Sequence, residues 1–129
     1  MVLVKHSQAL QEVAYNFGMH LDITHKIWTE LNNYKKDDEY LTKKNTLFNA
    51  IHNDKFQLKS LNNATNVEKN VSYSNDEQEV VLNECKLLFN YHYLLASEHL
   101  ESLAMNAENS DQTAVDSLKS ILNVMKNTI

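Results

Sequence analysis

Across 129 residues the chain contains no proline and a single glycine, Gly18. Tight hairpin turns depend on those two residues for their φ angles, so a sheet built of short strands has almost no turn chemistry to work with. Helices lose nothing by that omission. The constraint therefore points to an all-α chain, and the apolar spacing divides it into four helices.

The longest uninterrupted pattern runs from Ser74 to Ala107. It opens with Ser74-Asn75-Asp76-Glu77, a Ser followed three residues later by Glu, which is a capping box. Asp76, Glu77 and Glu79 add negative charge where the helix dipole favours it. Val81, Leu88 and Leu95 recur every seventh position, with Cys85, His92 and His99 interleaved at the same period. This spacing predicts a helix over 75–106. Val80, Leu87, Tyr91 and Leu94 form a second apolar row to one side. Leu82, Phe89, Tyr93 and Leu100 widen the other side. The apolar arc is wider than a surface helix needs, so part of it calls for a further partner.

Three more helices are expected. The first covers 7–34, capped by Ser7, with Leu10, Val13, Ala14, Phe17, Leu21, Trp28 and Leu31 on its apolar face. The second covers 38–61, capped by Asp37 or Asp38, with Tyr40, Leu47, Ala50, Ile51, Leu58 and Leu61 inward. The fourth covers 111–127, capped by Ser110 or Asp111, with Ala114, Leu118, Ile121, Leu122 and Met125 inward. The Asn-rich stretch 62–73 reads as a connector. With short, long and short joints, this order fits a single domain over 1–129, an up-down-up-down four-helix bundle.

Composition narrows function mainly by exclusion. The formal charge is −5, and all 12 basic residues are Lys. Without Arg the chain lacks the usual fork for phosphate, carboxylate and guanine, so no nucleic-acid partner is expected. No stretch has the length of a membrane span, and the apolar run at the start is too short for a leader. A cytoplasmic location is the resulting expectation. Cys85 is the only cysteine, which leaves no intrachain disulfide and no thiolate cluster.

The six histidines are the residues best suited to chemistry. His92 and His99 lie on the apolar stripe of the third helix. They are seven residues apart, about 10.5 Å along a helix axis, too far for one ion to take both from one helix. No Glu-x-x-His pair occurs, and Asp22-Ile23-Thr24-His25 is the nearest approach. His92, His99, His25 and Asp22 are therefore the metal candidates of an alternative reading, a metal or small-ligand sensor. No catalytic set is recognisable and no cofactor is expected. The leading expectation is a non-enzymatic protein that binds another protein, of the inhibitor, immunity, antitoxin, chaperone or regulatory kind. Val80, Leu87, Tyr91 and Leu94 are its candidate interface, with a homodimer as the expected assembly.

Overall fold

A computed structural model describes residues 2–36, 46–57, 74–108 and 111–129, with backbone alone at 2–7 and 57. Among the described residues there are four α-helices and no strand: α1 (Val2–Lys36), α2 (Leu47–His52), α3 (Asn75–Asn106) and α4 (Gln112–Asn127). A π-helical turn, Asn53–Gln57, follows α2 directly. The all-α expectation with four helices is met. No described helix is long and apolar enough to cross a membrane.

The chain divides into two compact units. The first comprises Met1–Trp28 and Phe89–Ile129, the second Thr29–Leu88.

In the first unit, Phe17, Thr24 and Ile27 of α1 are buried, as are Phe89, Ala96 and Leu100 of α3 and Val115, Leu122 and Met125 of α4. Polar ties join the same helices. The Trp28 indole N–H donates to Thr128 Oγ1 at 2.8 Å, and Lys126 Nζ donates to Asn90 Oδ1 at 2.6 Å. Lys119 pairs with Glu101 at 3.0 Å. Gln112 Nε2 donates to the carbonyl of Ala104 at 3.2 Å, tying the start of α4 to the last turn of α3.

In the second unit, Leu31, Phe48, Val81 and Cys85 are buried, with the polar Thr46, Asn49 and His52 among them. The capping box forms as the sequence predicts. Ser74 Oγ accepts from the Glu77 N–H at 3.1 Å, and Glu77 Oε2 accepts from the Ser74 N–H at 3.3 Å. Two of the helix's orphan donors are thereby satisfied.

Several boundaries and faces differ from expectation. α1 starts at Val2, so Ser7 lies inside the helix instead of capping it. Thr46 is extended and caps α2, its hydroxyl accepting from the Asn49 N–H, so a helix over 38–61 is broken at that point. Asp37, Asp38 and Tyr40 lie outside the described residues, as do Leu58, Leu61, the connector 62–73 and Ser110. Asp111 holds the cap position of α4 but makes no side-chain capping bond.

The predicted faces are also rotated. On α1, Thr24 and Ile27 are buried while Ala14 is exposed. On α2, Phe48 and His52 are buried and Ala50 is exposed. On α4, Val115 is buried while Ala114 and Ile121 are exposed. On α3 the buried set is Val81, Cys85, Phe89, Ala96 and Leu100, centred roughly 50° from Val81 towards Phe89.

Candidate functional site

That rotation of α3 decides the surface. Val80, Leu87, Tyr91 and Leu94 lie roughly 130–190° from the centre of its buried arc. Their exposures follow: Val80 40%, Leu87 62%, Tyr91 59% and Leu94 58%. Val80 and Leu87 belong to the part of α3 in the second unit, Tyr91 and Leu94 to the part in the first. Successive steps of seven, four and three residues keep all four on one face of a helix unbroken from Asn75 to Asn106. The helix bearing them holds six acidic residues, Asp76, Glu77, Glu79, Glu84, Glu98 and Glu101, against one Lys, Lys86.

The histidines come together in a way that sequence spacing does not indicate. His20 of α1 meets His92 of α3 with their Nδ1 atoms 2.9 Å apart. The same His20 ring stacks on His99, centroids 5.7 Å apart and planes within 9°. His20 thus reaches both rings that α3 sets two turns apart. All three are half-buried and belong to the first unit. Tyr91 places its ring edge-on to His92, with centroids 5.0 Å apart. Burial, followed by the charge of His20, holds His92 below the usual histidine range.

This geometry suits proton sharing better than chelation. A short Nδ1···Nδ1 contact is a hydrogen bond in which one ring donates and the other accepts. Parallel stacked rings direct their lone pairs along parallel planes, so His20 and His99 do not converge on a common point in this arrangement. Among the described residues no group of three or more His, Cys, Asp or Glu side chains is placed to hold a metal ion.

The other two sensor candidates lie elsewhere on α1. Asp22 and His25 line an open groove of about 290 Å³ with Gly18, Leu21, Ile121 and Met125. Asp22 pairs with Lys26 at 2.9 Å, an exposed bridge one turn along the helix. His25 rests against the Trp28 ring. Among the described residues a Cβ on Gly18 would meet nothing within 4 Å, so packing against them does not require glycine there.

Cys85 is fully buried in the second unit. Burial first, then the charges of Glu30 and Glu84, push its thiol up to about 12. The thiolate is the reactive form, so Cys85 is held as a small apolar residue. Alkylation of native protein near neutral pH is expected to run at least about a hundredfold slower than in denaturant. Equal rates in the two conditions, followed by mass spectrometry, would show that the thiol is accessible.

No known family, curated protein or solved structure matches this chain.

Proposed function

We propose that this chain is a non-enzymatic, cytoplasmic protein that works by binding another protein through the apolar row of α3. The observation that carries this reading is the exposure of Leu87, Tyr91 and Leu94, each above half, on one helical face. Leaving such side chains in water forgoes part of the ~1.5–3 kcal/mol that each gains on full burial. A docked partner recovers it. Self-association is the first occupant to test, because a two-fold pair covers the same patch on both copies at once.

The acidic character of α3 gives that test a sign. Two copies bring like charges together, so added salt should tighten a homodimer. A partner with a basic rim would instead be weakened by salt. Sedimentation velocity of the wild-type chain is expected to show a dimer that strengthens with salt. Leu87→Lys with Leu94→Lys is expected to give a monomer with an unchanged helical circular dichroism spectrum, because neither residue is buried within the chain. A wild-type chain that stays monomeric at every concentration and salt level removes self-association. A double variant that keeps all biological activity of the wild type removes the row as the working surface.

A further inference from the structure

We infer that His20 and His92, with His99 stacked on His20, form a proton-operated latch between α1 and α3 of the first unit, one that holds its first proton and opens on the second.

The chemistry follows from a single contact. With the pair neutral, one Nδ1–H donates to the bare Nδ1 of the other ring at 2.9 Å. Adding one proton gives an imidazolium that still donates to its neutral neighbour. That bond is charge-assisted and stronger than the neutral one. Adding a second proton leaves both Nδ1 atoms protonated, so no acceptor remains and two like charges face each other at hydrogen-bond distance. Like charges at that distance make a second proton much harder to place on the contact than a first. His99, stacked on His20, sets a third imidazole against the pair.

Among the described residues no counter-charge relieves the doubly protonated state. One turn either side of His20 on α1 lie Asn16, Phe17, Ile23 and Thr24, none of them ionisable. Thr24 spends its hydroxyl on the carbonyl of His20 at 2.6 Å. On α3 the corresponding neighbours of His92 and His99 are Leu88, Phe89, Leu95, Ala96, Ser102 and Leu103. Among the described residues, Tyr91 sets its ring edge-on to His92 and brings no carboxylate to the cluster. From α4, Lys119 is engaged by Glu101, and Lys126 by Asn90 and the Tyr93 ring. Glu98 and Glu101 are exposed, and Glu101 is turned to Lys119. The latch is therefore a device that loosens α1 from α3 as pH falls below the usual histidine range.

The direction agrees with His92. Its folded-state value lies below the ordinary one, so its contribution is whole above about pH 6.5. That contribution is lost as pH falls through the folded value. Glu77, whose carboxyl is also held low, acts only below the ordinary carboxylate range and in the second unit. The two acid effects are thus separable by pH and by location.

The test is an NMR titration of the imidazole Cε1–H signals in the full chain, with amide exchange measured at each pH. His20 and His92 are expected to titrate together in two steps separated by more than about one pH unit. Amide protection in residues 17–24 and 89–99 should fall at the second step. His20→Phe keeps a ring against His99 but carries no proton. It should abolish the second step and reduce the acid-induced loss of thermal midpoint, between about pH 7 and about pH 5, by at least about twofold. Independent single-step titration of His20 and His92 with constant protection overturns the inference. So does a His20→Phe chain that loses as much midpoint in acid as the wild type. If that variant does not fold, the wild-type titration alone decides.

Discussion

Phe89→Ala is expected to cost about 3–5 kcal/mol of folding stability, the range for removing a fully buried aromatic side chain. Phe89 is completely buried and stacks on Tyr93 in α3, with centroids 5.9 Å apart and planes within 15°. Truncation removes the buried ring, leaves a cavity that rigid helices fill only in part, and deletes the stacked pair. A domain of this size has roughly 5–15 kcal/mol to lose, so the variant should unfold at a far lower urea midpoint. Met105→Ala on the same helix is the control. Met105 is among the most exposed apolar side chains, and its truncation should stay within about 0.5 kcal/mol. A Phe89→Ala loss below about 1 kcal/mol would place the packed face of α3 elsewhere, and the exposed row with it.

The limits of α3 were legible because its signals are local. Ser74 and Glu77 lie three residues apart, and the bonds between them form as the capping rule states. The phase of the helix was harder to read. Val80, Leu87 and Leu94 are as aliphatic as the buried Val81 and Leu100, so averaging over apolar residues pulled the apparent core arc towards the exposed row. The same kind of error on α1 hid His20. Measured from Phe17, His20 lies at roughly −60°, between the buried Thr24 and Ile27. A wheel centred on Leu21 and Trp28 puts it outside the arc. The His20–His92 bond spans 72 positions in sequence, and no periodic pattern encodes which face of a distant helix a ring will meet. The exposure of the candidate row was accessible from α3 alone, once its core side was known. The histidine cluster required both helices in place.

Non-local capping accounts for the misread second helix, and it yields the second large effect. α2 has six residues before its π-helical turn, too few to hold a helix by propensity. Its early N–H groups therefore need acceptors from elsewhere. Thr46 supplies two, its hydroxyl to Asn49 and its carbonyl to Ala50, each at 3.1 Å. Glu30, near the end of α1 and in the same unit, supplies the others. Its two carboxylate oxygens accept from the Leu47 N–H at 2.8 and 2.7 Å, and the carboxylate also accepts from Phe48. A carboxylate at a helix N-terminus is favoured by the dipole. Half-burial nevertheless outweighs the backbone bonds and holds the Glu30 carboxyl above its ordinary value.

Glu30→Ala leaves two N–H groups without their acceptor, at about 1–3 kcal/mol each, so a loss of about 2–6 kcal/mol is expected. Glu30→Gln keeps one acceptor oxygen and turns an amide donor towards the helix, and should lose less. Its pH dependence identifies the cause. Because the folded value is raised, wild-type Glu30 gains stability as pH falls from that value towards 4.5. The neutral Gln gains nothing there, so the cost of Glu30→Gln should grow on acidification through this window. Glu77 is present in both proteins and cancels in the difference. A cost that shrinks in acid would mean that the charge of Glu30, and not its reach across to α2, is what the helix depends on.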